Sequence, residues 1–535
     1  MSYRGFVAPL PVGQQGFTGT QNPSQAQPGH FIFVDGAELD AAIIRKEGGA
    51  SKVNSSALGG GSVVVSGIDW FPTPGTTHTV VFLSNGDVLR DTGAGTFGTT
   101  MVSGLTNVRD PPPLFVPAGG ELVGNKRRLL LFSRTNQVKV SADPWSTFAN
   151  IGAPAADWAG ATFPSFGVLH SFRMFAGGNT NDPHRIYYST TSDHTDFTGA
   201  GSGTISIYPG EGETLVGGIS FRGALVLFKY PSGIYILDTA DPTPANWTLR
   251  PLTRAVGTLN QHSIVQVEND TLYMDRHGNI HSLAATNEFG DVNSSNIGAF
   301  ADIPPFMRST MNLSALRRVQ GLWYQAKRQA WWAMPRLGTS DNDFRFIVGF
   351  SEPQQQGTPA PRFFMSRRDV CPSLWLRPDA LGIPKPAFGD ASGFVRKADE
   401  DTRSKDGAGY PIIFETSGTD LSFLNQELAT RSKTGQFLEI SFEPRGDWDL
   451  TVEIHWDDRL TDIVAFNMGS GGAALGSFIL DTDVLAASVV RSVRSRIAGS
   501  GRRVKLIAQN DGAAQDVSLS EFHLSFTVGD ERISA

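Results

Sequence analysis

The chain has 535 residues, of which 59 are Gly and 31 Pro; only 18% are charged, and the formal net charge is −7. The chain is rich in turn formers and poor in charge, which suits an all-β protein rather than long solvated helices, while the negative charge argues against a protein that coats nucleic acid by bulk electrostatics. Cys371 is the single cysteine, which excludes an intrachain disulfide and a thiolate metal cluster.

In chain order, Met1–Gly5 lacks the apolar stretch of a signal peptide, and no run approaches the ~18 apolar residues of a membrane span. The expectation is a protein made in a cytoplasm with no membrane anchor of its own. Residues 1–61 carry no repeat. Within them Phe6–Pro28, rich in Gln, Gly and Pro, reads as an extended arm, Val34–Gly48 as one short helix stopped by Gly48-Gly49, and Ser55–Gly61 as a flexible link.

Residues 62–414 repeat one phrase: an apolar strand, a short polar turn holding Gly or Asn, and a second apolar strand. It is clearest in Thr79–Arg90, Arg128–Val140, Ala224–Leu237 and Thr271–Leu283, and weaker in Phe172–Ser189, Gly321–Met334 and Ala387–Lys397. Gly and Asn suit hairpin turns because those turns need positive φ. The turn centres, near Gly86, Asn136, Asn181, Gly233, Gly278, Lys327 and Gly393, lie 45 to 66 residues apart. A strand-built period of roughly 40–50 residues is that of propeller blades, and each interval holds four short strands. One short helix is expected at Ser309–Arg318, and Ser351–Pro361 reads as a loop insertion.

Residues 415–535 change character. Phe437–Phe442, Asp449–Trp456, Arg503–Ala508 and Phe522–Val528 alternate apolar and polar residues, the period of strands with one buried face. They predict a β-sandwich or small β-domain, with Thr482–Arg496 partly helical. The fold class expected is therefore all-β: a propeller of six to seven blades, an N-terminal arm and a C-terminal β-sandwich-like domain.

Catalytic motifs are sparse. Gly93–Gly98 matches the dinucleotide fingerprint by letter but is followed by a Thr/Gly loop and no readable helix. His277 and His281 flank a hairpin turn, so they do not share a helical face as zinc ligands would. The acidic pairs Glu211/Glu213, Asp399/Asp401 and Asp457/Asp458 lie in apparent turns, where solvated acids are ordinary. Ser141–Trp145 resembles a sialidase Asp-box without its Gly, and it does not recur. Trp323, Trp331 and Trp332 read as packing between blades, with a sugar platform as the minor alternative. No catalytic, cofactor-binding or metal-ligating residue is assigned, and no cofactor is expected.

One charged stretch stands out. Arg491, Arg494, Arg496, Arg502, Arg503 and Lys505 place six basic residues and no acid in 15 positions. They read either as a solvated strand edge kept from further pairing or as a contact with an acidic neighbour or phosphate.

Several phrases in order resemble the β-propeller tail-tube or nozzle proteins of short-tailed bacteriophages, which include tail hub and packaged-DNA stabilisation proteins. They are Leu39–Gly49; Phe172–Gly178 with Pro183–Ser189 and Asp193–Phe197; Ile219–Lys229 with Ile234–Leu237; and Phe388–Lys397. The resemblance spans roughly residues 30–535. It implies a structural virion protein, not an enzyme, located in the tail and assembled in the host bacterial cytoplasm. Such proteins form a ring, commonly a hexamer, that extends the portal and adaptor channel, retains packaged DNA and conducts it during ejection. The partners implied are other copies of the chain, adaptor or portal-proximal proteins, tail fibres or spikes, and double-stranded DNA passing without sequence-specific binding.

A conduit should repel DNA weakly, because phosphate contacts add up and would stall passage. The expectation is an acidic or neutral inner wall, with 491–505 facing another protein. The alternative is a propeller carbohydrate-binding protein or glycosidase; a third reading is another tail component, such as an adhesin or adaptor-proximal hub.

Overall fold

The structure is a computed structural model that describes residues 5–10, 15–20, 26–40, 43–73, 75–93, 95–106, 109–118, 127–142, 145–160, 162–191, 193–210, 213–289, 296–350, 361–469 and 490–529. Seven antiparallel sheets follow one another in chain order as the blades of a propeller. Blade one is Val64–Thr73, Thr76–Leu83, Val88–Arg90 and Thr99–Val102. Blade two is Leu114–Ala118, Arg128–Ser133, Asn136–Ala142 and Thr147–Asn150. Blade three is Phe166–His170, Arg173–Gly177, Arg185–Tyr188 and Gly203–Ser206. Blade four is Thr214–Phe221, Ala224–Tyr230, Ile234–Asp238 and Thr248–Thr253. Blade five has three strands, Ile264–Val267, Asp270–Met274 and Ile280–Ser282, with the helix Leu283–Phe289 following the third. Blade six is Gln320–Tyr324, Gln329–Met334, Phe344–Gly349 and Arg362–Ser366.

Blade seven settles the count. Its first three strands are Ser373–Pro378, Pro384–Gly389 and Val395–Glu400, and its fourth is Gly49–Lys52, which precedes blade one in the chain. The ring is closed by this borrowed strand, paired Ala398 to Ala50 and Lys397 to Ser51. Of the six or seven blades expected, seven are present.

The apolar runs have a packing explanation. A middle strand of a blade is buried on both faces, so alternate side chains go to opposite neighbours. Val80 and Phe82 pack toward blade two, whereas Val81 and Leu83 pack toward blade seven. Leu225 and Leu227 face blade three, while Val226 and Phe228 face blade five. Trp331 and Trp332 divide in the same way between blades seven and five. Where neighbouring blades approach most closely the innermost strand carries glycine. A Cβ on Gly67 would lie 2.7 Å from the Trp375 ring, and one on Gly321 would lie 2.6 Å from the Val265 side chain.

The C-terminal part is a two-sheet sandwich, and the N-terminal segment belongs to it. One sheet runs Phe31–Asp35, Ile412–Thr416, Val504–Asn510, Asp449–Trp456, Arg459–Asn467. The other runs Ala37–Asp40, Ile43–Lys46, Ser518–Val528, Lys433–Phe442, Arg491–Arg496, with Gly5–Leu10 also paired to Ser518–Val528 and Ser500–Gly501 to Lys433–Phe442.

Several expectations are corrected here. Val34–Gly48 forms no helix: Ala37–Asp40 and Ile43–Lys46 make a hairpin, with Ile44 and Ala37 buried in the sandwich and Glu38, the neighbour of Ala37, turned to Lys327 of blade six. The unit expected at 1–61 is not separate, since its strands complete the sandwich and close the propeller. Within 5–28, Gly5–Leu10 is a strand and Phe17 is core. The link at 55–61 is tied down, with Leu58 N donating to Gly393 O at 2.9 Å. The helix expected at Ser309–Arg318 instead occupies Ile303–Thr310, led by prolines, with one 3-10 turn at Leu316–Arg318. Arg491–Arg496 is a strand; the rest of 482–496 that was expected to be helical, and the insertion at 351–360, lie outside the described residues apart from Val490. The sixth repeat, Gly321–Met334, pairs the first two strands of blade six, not its middle two.

Both sandwich sheets start at the outer strand of blade six. Phe31–Asp35 and Ala37–Asp40 touch Arg362–Ser366, Phe17 N donates to Phe363 O at 2.8 Å, and Arg367 N donates to Asp35 Oδ1 at 2.8 Å. One apolar core runs through this contact, from Trp332 and Phe346 to Phe31, Phe414 and Phe522.

Candidate functional site

The sandwich divides the six basic residues. Arg491, Arg494 and Arg496 lie on the edge strand of the seven-stranded sheet, the edge farthest from blade six. Arg502 and Arg503 lie where the chain crosses between sheets, and Lys505 lies in the other sheet. Arg491 folds back and donates to Gly469 O. Arg494 stacks its guanidinium 3.8 Å from the Phe437 ring centroid. Lys505 Nζ is 2.6 Å from Glu415 Oε1 and 3.7 Å from Asp458 Oδ1. The Arg502 and Arg503 backbone N–H groups donate to Asp457 Oδ1 at 3.0 and 2.9 Å, leaving both side chains outward. Arg494, Arg496, Arg502 and Arg503 are exposed; among the described residues no carboxylate lies within salt-bridge distance of their guanidinium groups. The continuous run in sequence is therefore not one patch.

The other candidates are absorbed into the architecture. Asp399 accepts from Lys327 Nζ at 2.6 Å and Tyr324 Oη at 2.8 Å. Asp457 caps the turn just described, and Asp458 beside it is exposed. Glu213 faces Lys229 at 3.8 Å; Glu211 lies outside the described residues. His281 is buried, 3.2 Å from Asp275 Oδ2 and stacked on Tyr273, whereas half-buried His277 accepts from Arg276. Gly93–Gly98 joins two antiparallel strands, with Asp91 accepting from Gly93 N and Gly95 N. Trp331 and Trp332 are buried, with Trp332 Nε1 donating to Ser263 O at 3.3 Å; Trp323 is partly buried against Phe350.

One end of the propeller axis is crossed by the loop Arg109–Pro113, between blades one and two. Arg318 grips Asp110 with Nε at 2.9 Å, Arg109 bonds Asp341, and His262 Nε2 lies 3.2 Å from Pro113 O. Burial pulls the His262 imidazole down to about 4, so it is neutral at physiological pH. The remaining cleft, lined by Val65, Pro112, Asn342 and Pro372 with the charged groups just named, has room for about one water molecule.

Where sandwich and propeller meet there is a buried ion network that no sequence motif announces. Arg345 NH2 is 2.8 Å from Glu47 Oε1 and 3.1 Å from Asp369 Oδ2. Arg368 NH2 reaches Glu47 Oε2 at 2.5 Å, and Lys405 reaches Asp369 Oδ1 at 2.9 Å. Burial would lower the Arg345 pKa, but Glu47 and Asp369 carry it upward, so the guanidinium stays charged. Alongside, Lys327 bridges Glu38 and Asp399 at 2.8 and 2.6 Å.

The sequence reading also missed Phe172. It sits at the tip of blade three, in the two-residue turn Ser171-Phe172 where φ is 46° and 60°, and its side chain is 85% exposed. The signal was present: two strands separated by two residues, neither of them Gly nor Asn.

No protein-family model matches the chain, and no curated protein does. Solved structures to which it is similar include U3-55K, at 6% identity over 66% of this chain and 98% of that one, TM-score 0.40. BBS1N in complex with ARL6DN is 8% identical over 66% and 97%, TM-score 0.37. An exo-β-1,3-galactanase from Phanerochaete chrysosporium is 9% identical over 96% and 99%, TM-score 0.26. Likeness at this level says nothing about what this chain binds or does; the all-β propeller rests on the seven sheets and their ring closure.

Proposed function

We propose that the chain is a structural subunit of a bacteriophage tail: one member of a ring, of hexamer type, that extends the portal and adaptor channel, retains packaged DNA and conducts it during ejection. The observation that carries the reading is the placement of the exposed arginines on the far edge of the sandwich, while blade interfaces are filled and one axial mouth is crossed by Arg109–Pro113. Chemistry that recognises partners thus lies on outer surfaces. The net charge of −7 fits a conduit that does not grip phosphate, and of the 491–505 segment the exposed Arg494 and Arg496 are assigned to protein contact. Adaptor proteins, and fibres or spikes, are the further partners this role requires.

The reading as a carbohydrate-binding protein or glycosidase leaned on the propeller period and the Trp cluster; Trp331 and Trp332 are buried in blade packing and Trp323 is partly buried against Phe350. Labelled copies located in particles test the proposal: density in a ring at the distal tail is expected. Absence of the chain from the particle overturns it, as does specific hydrolysis of a glycan from a glycosidase panel.

A further inference from the structure

We propose that the outer face of the seven-stranded sheet, along Arg491–Arg496, docks head to tail onto the Phe172 corner of blades three and four in a second copy of the chain. This rests on the ring reading above and names the surfaces that would build it.

Placement is the first argument. Both sandwich sheets run outward from blade six and end at Arg459–Asn467 and Arg491–Arg496. Blade three lies three blades round the ring. A head-to-tail contact needs two different patches on one subunit, and these two surfaces are separate, one on the sandwich beyond blade six and one on blades three and four.

Shape is the second. An aromatic residue with φ of 60° is held in a costly backbone conformation. It is kept there with His194 Nε2 3.2 Å from Phe172 O, and it projects into solvent. Buried aromatic anchors carry most of the energy of protein interfaces. On the other surface, Val7, Ser525, Phe437 and Arg496 stand side by side in register on the outer face. Ser525 is small, Val7 is 67% exposed and Phe437 is half-buried. The aromatic ring would seat over Ser525, between Val7 and Phe437, beside the Arg494 guanidinium that already stacks on Phe437.

Charge is the third. Asp193 and Asp196 lie in the loop after the third strand of blade three, and Asp238 and Asp241 follow the third strand of blade four, on the same face of the propeller as Phe172. Backbone N–H groups of Thr198 and Thr243 hold Asp196 and Asp241 below the usual carboxylate range, so both stay ionised. Of the basic residues here, Arg222 lies 5.0 Å over its own neighbour Phe221, and Arg173, next to Phe172, is buried and donates to Ser189 O and Gly201 O. Arg496 and Arg494, the latter in register with Glu439, supply the opposite sign across the contact.

Sedimentation velocity over a range of protein and salt concentrations tests this on the full chain. Phe172→Gly relieves the positive φ and so should fold at least as well as the parent. Phe172→Gly and the pair Arg494→Glu with Arg496→Glu should each weaken self-association at least about tenfold, the loss of one interface anchor. Adding Asp238→Arg to the double variant should recover most of it, and high salt should weaken the parent but not the reversed pair. Self-association unchanged by both variants overturns this interface and leaves the ring reading standing. A chain absent from the particle whose self-association still depends on Phe172 overturns the tail role and leaves this interface standing.

Discussion

Asp69 shows how a residue's chemistry is set by a partner far along the chain. It lies in the first strand of blade one, where Trp375 Nε1 of blade seven donates to its Oδ1 at 3.1 Å and Arg377 Nε lies 3.9 Å from Oδ2. Burial pushes its carboxyl up to about 6, against the downward pull of Arg377. The unfolded carboxyl titrates near 4. Between about pH 4 and 6 the native state keeps a proton that the unfolded state has released, so stability falls as pH rises through that window. Asp69→Asn removes the titration. The variant should match the parent below about pH 4 and exceed it above pH 6 by up to about 3 kcal/mol, the equivalent of a two-unit shift. Chemical denaturation at several pH values measures this, and parallel pH profiles would refute it. An isolated Asp between Ile68 and Trp70 gives no warning of any of this, because its environment is built by residues some 300 positions away.

At the scale of elements, the repeated hairpin was legible because doubly buried strands must be apolar along their whole length. In six of the seven repeats the phrase joins the second and third strands of a blade; in blade six the polar residues of Asp341–Asp343 broke it and the first hairpin stood in its place. The closing strand Gly49–Lys52 was not legible, since four residues carry no period. It pairs with Val395–Glu400 on one side and with Lys405 on the other, so the Ala50 N–H faces a partner strand whichever way it points. Ala50→Pro should therefore cost about 3 kcal/mol and speed proteolysis around residues 395–409. An unchanged denaturation midpoint would show that the ring does not depend on this strand. The N-terminal hairpin was misread as a helix for a related reason: Leu39–Lys46 suits either period, and the sandwich chose the strand.

At the scale of the whole molecule, propeller and sandwich share one core. The core runs unbroken from blade five through blade six into both sandwich sheets, and Arg345, Glu47, Arg368 and Asp369 lock the N-terminal segment to blade six. Removing one partner from such a network leaves buried charges unpaired, at a cost of about 3–5 kcal/mol. Arg345→Met should lower the single calorimetric transition as a whole. A sandwich transition that separates from the propeller transition, or an unaffected midpoint, would refute the joint unit.

Strand periodicity, turn chemistry and the roughly 48-residue recurrence determined in advance that this is an all-β propeller followed by a second β-domain, because burial on one or both faces writes itself directly into residue type. Tertiary structure alone decided the rest: the seventh blade's borrowed strand, the sharing of the N-terminal segment between two units, the crossing of the axial mouth and the exposure of Phe172. Those features join residues distant in sequence, and a pairing between distant segments leaves no local pattern in either one.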